Sequence, residues 1–359
     1  MRILLAGSVV RSCHQGGAVW AVLQWALGLR SLGHDVTLVE QLPAPATVEQ
    51  RRYAALIEGQ TGVRPVLLGG EGELSPSDLG RVDLVVNLSG VLRDPALLAA
   101  ATRRLYVDLD PGFTQVWHAQ GADVGLAGHD AYATVGLAVG RPGCRVPTLD
   151  RHWWPVLPPV ALDRWRPGAG VTRWAATTVG HWRSYGTLTH DGVRYGQRAH
   201  SVRRLWDLPG RSPLPLQLAL GISPEETKDL AALDEHGWQR LDPQQVAASP
   251  QDYRAFVRGS AAELSIAKSG YVSSRSGWFS DRSACYLAAG RPVVAQDTGW
   301  SAVLPSGAGL LAYSDVDSAG AALEHVAAGH ARHSRAAHEW AREHLDARLV
   351  LGRLLEQVR

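Results

Sequence analysis

The stretch SRSGWFSDRS (274–283) carries the densest set of anion-binding groups in the chain. Ser274, Ser276, Ser280 and Ser283 offer hydroxyl donors, and Arg275 and Arg282 offer guanidinium forks that match phosphate oxygens. Behind them runs a short amphipathic stretch ending at Gly290, then the apolar VVAQ (293–296). A polar loop that feeds a helix start presents unpaired backbone N–H groups and the positive end of the helix dipole. The chemistry implied is the binding of a phosphate or diphosphate. Lys268 lies just upstream, Asp281 sits within the loop, and Asp297 and Thr298 follow the strand. Asp297 reads equally as a sugar-hydroxyl acceptor or as a turn former before Gly299.

The elements that must position this loop follow an α/β rhythm. Residues 2–6 form a compact apolar strand, 7–17 a loop, 18–30 a helix stopped by Gly33, and 35–40 a second strand. Short connections of this kind favour a parallel, doubly wound sheet. Further strands are expected at 82–88, 104–109 and 132–137, with a helix near 95–102. Residues 153–165, with Pro147, Pro155, Pro158 and Pro159 in or beside them, read as a stiff connector. The pattern then restarts with strands at 173–179, 214–220, 263–267 and 293–296, helices at 196–205 and 252–259, and a helical tail over 318–358. Two α/β halves joined in this way leave a cleft, a favoured place for small ligands.

Composition narrows the partners. The chain has 359 residues, 45% hydrophobic and 19% charged, which suits two folded domains. A net charge of +2 lacks the basic excess of a dedicated nucleic-acid binder. No apolar run approaches the ~20 residues of a membrane span, and the N-terminus reads as a first strand rather than a signal peptide. Cys13, Cys144 and Cys285 are odd in number and widely spaced, so no disulfide framework is implied and a cytoplasmic setting is expected. His325, His330, His333, His338 and His344 lack an organised partner and read as a solvated helix, not a metal site.

The order of these pieces resembles the GT-B glycosyltransferases. HQGG (14–17) between the first strand and helix, leading to LGHDVTLVE (32–40), is one likeness. PPVALDRWRP (158–167) is similar to the connector that opens the donor domain, and TTVGHWRSYG (177–186) to a strand followed by a basic turn. SGWFSDRSACYLAAGRPVVAQDTG (276–299) resembles the donor-phosphate loop, helix and strand, most closely in a branch related to spore-coat CgeB-type proteins. The sequence departs from the Glu-x7-Glu pattern of retaining members, whose two positions hold Gly277 and Cys285.

The resemblance implies two Rossmann-like doubly wound domains facing a cleft. Residues 1–157 would bind the acceptor and 158–335 a nucleotide-sugar donor, with 336–359 a helix packing back on the first domain. It implies donor contacts from Arg183, Ser184, Lys268, Arg275, Ser276, Ser280, Asp281, Arg282, Ser283, Asp297 and Thr298. Gly16, Gly17 and His118 would line the acceptor side. In inverting members a His near position 14 is the general base, oriented by an Asp; here His14 would pair with Asp108 or Asp110. If the reaction is retaining, His14 would instead contact acceptor or phosphate. Asp108 and Asp110 also form an Asp-x-Asp pair, but far in sequence from the phosphate loop, and no metal or other cofactor is expected beyond the nucleotide sugar itself. A small-molecule acceptor, as in natural-product glycosylation, fits the whole. The alternatives are a nucleotide-sugar epimerase, a non-catalytic binding protein and an NAD-dependent oxidoreductase. The last is opposed by GSVVRSCHQGG (7–17), which lacks G-x-G-x-x-G spacing.

Overall fold

The computed structural model describes residues 1–69, 80–168 and 170–358. The first half is built on β1 (Arg2–Ala6), β2 (Asp35–Gln41), β3 (Pro65–Leu68), β4 (Val82–Leu88), β5 (Ala101–Asp108), β6 (Ala131–Thr134) and β7 (Trp153–Pro155). These make one parallel sheet in the order β3-β2-β1-β4-β5-β6-β7. The second half repeats the plan. β8 (Arg173–His181), β11 (Leu216–Gly221), β12 (Gln239–Arg240), β13 (Ser260–Ser265), β14 (Val293–Gln296) and β15 (Leu310–Tyr313) form a parallel sheet in the order β12-β11-β8-β13-β14-β15. A small antiparallel hairpin of β9 (Leu188–His190) and β10 (Val193–Tyr195) stands apart. Strand order reverses at β1/β4 and again at β8/β13, and ligand crevices form beyond the carboxyl ends at such points.

Burial on both faces explains the apolar strands: Ile3 to Ala6 and Leu84 to Val86 are all buried. The helix Gly16–Ser31 buries Val19, Trp20, Leu23, Ala26 and Leu29. Several elements depart from the sequence expectation, among them the following. Trp153–Pro155, expected as part of a connector, is the edge strand β7, where Pro155 is tolerated because its missing donor has no ladder partner to serve. The helix Val48–Thr61 is present although only Ala54 and Ile57 are buried; a capping box between Thr47 and Gln50 starts it. The helical tail divides into Val316–Ala328, His330–His344 and Ala347–Gln357.

Several joins hold the halves together, three of them through the backbone or close helix packing. The helix Ala347–Gln357 lies on Gly16–Ser31 so closely that a Cβ on Gly28 would fall 2.6 Å from the Ala347 Cβ. Val160 donates to the Leu345 carbonyl (2.8 Å) and accepts from the Ala347 N–H (2.9 Å). The third join is backbone pairing of 136–145 with 274–278, described below. Among the described residues no helix is long and apolar enough to cross a membrane.

Candidate active site

The loop after β1 is held by a single carboxylate. Glu40, fully buried near the end of β2, accepts from the N–H groups of Val9 (2.6 Å), Val10 (2.6 Å) and Arg11 (3.0 Å) and from Ser8 Oγ (3.1 Å). This is where a dinucleotide-binding fold would offer a carboxylate to a ribose. Here its oxygens are consumed by the loop, so the oxidoreductase alternative loses that contact. The same bonds fix the path from Ser8 to the helix start at Gly16.

Opposite this loop, a cluster of cations gathers beyond β8 and β13. Arg198 is buried; its Nε donates to the Ile266 carbonyl (2.7 Å) and its Nη1 to the His181 carbonyl. Among the described residues it meets no carboxylate. Burial, aided by Arg282, pushes its pKa down to about 9. Arg282 pairs with buried Glu263 (Nε–Oε1 3.1 Å), while its Nη2 is buried without a partner. Both guanidinium groups flank Gly180: a Cβ there would lie 3.1 Å from Arg198 Nη1 and 3.5 Å from Arg282 Nη1. Lys268 completes the cluster. Its Nζ bonds Asp110 Oδ2 (2.9 Å) and the Tyr185 hydroxyl, and lies 4.2 Å from the centroid of the Tyr185 ring. Burial lowers the Lys268 pKa, and Asp110 opposes the shift. The Tyr271 hydroxyl donates to the other oxygen of Asp110, so one carboxylate of the first half is gripped by three side chains of the second.

Two cavities open between the halves. The first, about 330 Å³, is bounded by one face of helix Gly16–Ser31, the ends of β1 and β4, the Pro158–Pro159 turn, Trp278 and Phe279. The second, about 260 Å³, is lined by His14, Gln15, Gly17, Gly180, His181 and Arg282 among others. Ala18 and Asp281 wall both. Of the cations, Arg282 lines the second cavity and Arg198 lies against its Gly180 wall, and the N-terminal end of helix Gly16–Ser31 borders the same space.

Neither a protein-family model nor a curated protein sequence matches the chain. Solved structures do. AviGT4, a glycosyltransferase involved in avilamycin A biosynthesis, aligns over 100% of this chain and 97% of its own, with a TM-score of 0.60 at 15% identity. Anabaena Alr3699/HepE in complex with UDP and glucose aligns over 99% of both chains, with a TM-score of 0.60 at 10% identity. An alpha-glucosyltransferase in complex with UDP-glucose and abasic-site DNA covers 99% of this chain and 98% of its own, at 0.57 and 12%. The fold is GT-B. Two Rossmann-like halves facing a cleft are therefore the architecture of the whole chain, as the resemblance implied.

Within this GT-B cleft the expected residues separate into groups. Arg282, Asp281, Gly17 and His14 line the second cavity, and Lys268 stands in the cation cluster. The serine-rich loop is placed differently from expectation. Leu137 N–H donates to the Gly277 carbonyl (3.1 Å), Ala138 N–H to Ser276 (3.1 Å) and Arg145 N–H to Ser274 (2.7 Å). The loop spends its backbone on the first half, with Ser276 buried and Arg275 exposed in a left-handed conformation, φ 50°. Ser280 caps the helix Asp281–Ala288, and the Ser283 hydroxyl donates to Ser265 (3.0 Å). Thr298 donates to the Trp278 carbonyl (2.8 Å), and Asp297 accepts from Gly299 N–H (2.8 Å) and the Ser301 hydroxyl (2.8 Å), the turn-former reading.

Three further expectations are corrected. Arg183 is drawn away to Glu226, with Asp229 beyond at 3.9 Å, and Ser184 N–H donates to Gln197; neither lines a cavity. Asp108 is buried and accepts from Thr114 (2.7 Å), Gln115 (2.9 Å), Thr134 (2.8 Å) and the Asp110 N–H (2.9 Å). It is a structural anchor with no capacity left for a histidine or a metal, and with Asp110 held across the cleft the pairing of His14 with either Asp is not formed. Gly16 packs on the Ser249 carbonyl, where a Cβ would lie 2.1 Å away, and His118 lies outside both cavity walls. Sequence reasoning missed Arg198, Tyr185, Tyr271 and His181. The only trace of Arg198 is a cation placed among apolar helical positions (Ala199, Val202).

Proposed function

We propose that the protein is a glycosyltransferase that moves a sugar from a nucleoside diphosphate donor to a small-molecule acceptor. The observation that carries this reading is Arg198, a buried cation that among the described residues hydrogen-bonds only to carbonyl oxygens, beside a second guanidinium with an unpartnered donor. Burial of a guanidinium without an ion pair is costly, and a diphosphate in the second cavity, at the Gly180 wall against which Arg198 lies, supplies an anion. The transfer breaks the bond from the anomeric carbon to the diphosphate, whose oxygen keeps the electron pair. The acceptor oxygen bonds that carbon, and its proton passes to the departing diphosphate. Charge growing on the leaving group is met by Arg198, Arg282 and Lys268 and by the start of helix Gly16–Ser31, so these side chains supply the stabilisation a metal ion gives elsewhere. His14 and His181 stand beside the same phosphate; we assign His14 to donor contact. The likeness of 276–299 to the CgeB-type branch is the closest family placement we offer. UDP is the nucleotide in the complexes of HepE and of the alpha-glucosyltransferase, and is the first donor base to try here.

Calorimetric titration with UDP, GDP, dTDP and NAD tests the reading. One or more nucleoside diphosphates should bind and NAD should not. Binding of NAD alone would overturn the transferase assignment.

A further inference from the structure

The first cavity has no counterpart charge to the second, and its walls define an occupant. Four helical positions, Ala18, Ala21, Val22 and Trp25, present one continuous face to it. Leu88, Val91, Leu109, Val135, Pro158, Pro159, Trp278 and Phe279 supply most of the rest.

The polar side chains on this wall are few: Ser8, Ser12, Gln24, Ser89 and Asp281, of which Gln24 and Ser8 are engaged. The Gln24 carbonyl accepts from Ala161 N–H (2.7 Å) and its amide faces Cys285 Sγ (3.7 Å). The Ser8 hydroxyl donates to Glu40 (3.1 Å). Asp281 differs: its carboxylate makes no hydrogen bond to another side chain among the described residues, and it stands where the two cavities meet. Burial raises its pKa against the pull of Arg282.

We propose that this cavity is the acceptor site for an apolar, ring-bearing alcohol or phenol, seated with its hydroxyl donating to Asp281. An apolar cavity of about 150 Å³ holds one benzene ring. The 330 Å³ here therefore accommodates two or three fused rings. A sugar or nucleotide acceptor would leave most of its hydroxyls facing aliphatic and indole carbon, without partners. The Asp281 carboxylate, without a side-chain partner among the described residues, lies at the border with the second cavity, which places the acceptor hydroxyl next to the donor. This inference rests on the glycosyl-transfer reading for its purpose, but the binding site stands on its own walls.

The test uses 2-naphthol, naphthalene and methyl glucoside as probes, with UDP titrated separately. Calorimetry should show 2-naphthol binding to the wild type and methyl glucoside failing to bind. Ala21→Trp and, as a second filling variant at a loop, Val91→Trp should each weaken 2-naphthol about tenfold or more while UDP affinity stays within about twofold. Asp281→Asn should weaken 2-naphthol about tenfold and leave naphthalene unchanged, because only the former donates to the carboxylate. Undiminished 2-naphthol binding in both filling variants, or tighter binding of methyl glucoside, overturns the site. An equal response of the two aromatic probes to Asp281→Asn overturns the hydroxyl placement. Failure of the wild type to bind any of UDP, GDP and dTDP would instead sink the donor reading, so the two failures are distinguishable.

Discussion

The two cavities share Ala18 and Asp281, yet one is mostly apolar and the other carries His14, His181 and Arg282. One wall of the apolar cavity is a single helix face, so that part of its chemistry is written in local periodicity. The charged cavity draws on the loop before helix Gly16–Ser31, the end of β8 and the helix Asp281–Ala288, with Arg198 against its Gly180 wall. Its cations are assembled by topology, beyond the carboxyl ends of β8 and β13 in the second sheet. The difference teaches that buried cations can gather partly outside the stretch richest in anion-binding residue types: Arg282 belongs to it, Arg198 and Lys268 do not.

Perturbing one cavity at a time sharpens this contrast. The largest effect is expected from Arg198→Gln, which keeps amide donors for the Ile266 and His181 carbonyls but removes the charge. UDP affinity should fall about 100-fold by calorimetry, in line with loss of a charge-assisted contact. Binding of 2-naphthol should be unaltered. Gly277→Ala should harm the join rather than either cavity. Its φ is 72° and a Cβ would lie 2.4 Å from the Ala138 nitrogen, so thermal or urea denaturation should show a loss of about 2 kcal/mol or more.

Asp110→Asn should cost about 1–2 kcal/mol of stability, since it leaves the Lys268 ammonium without its carboxylate at a mostly buried position. UDP binding should survive, because Lys268 is then freer to turn to phosphate. A smaller, pH-dependent effect is expected from Asp281→Asn. The folded Asp281 holds its proton more tightly than the unfolded chain, so the wild type loses stability as pH rises from the ordinary carboxylate value of 3.8 through the raised one. The variant has no such loss. Its melting temperature should exceed that of the wild type by about a degree or two at pH 7, with the gap closing below pH ~4. Arg275→Ala should change UDP affinity by less than about twofold, since this exposed arginine lines neither cavity. A large effect there would return the phosphate to the serine-rich loop.

The fold was legible where pattern and burial coincide. Periodicity marked the helix Gly16–Ser31 and alternating α/β segments marked the two sheets. Short strands such as β3, β12 and β15 carry too few residues for any period to register. The helix Val48–Thr61 hid behind a polar surface, although Thr47 and Gln50 held a readable capping signal. At the site, Arg282, Lys268 and Gly17 were legible as types beside strand ends. What composition does not reveal is direction: Ser276 and Ser280 have the hydroxyls of a phosphate loop but spend them on their own backbone neighbours, Trp278 and Arg282. Arg198 escaped because its partners, the Ile266 and His181 carbonyls, lie far along the chain.

The most direct measurement is a crystal structure of the protein with UDP bound. The diphosphate is predicted in the second cavity, with its oxygens within hydrogen-bond distance of Arg198 and Arg282 and the start of helix Gly16–Ser31 beside it. A diphosphate seated instead on Arg275 and Ser276, or in the apolar cavity, would contradict the account.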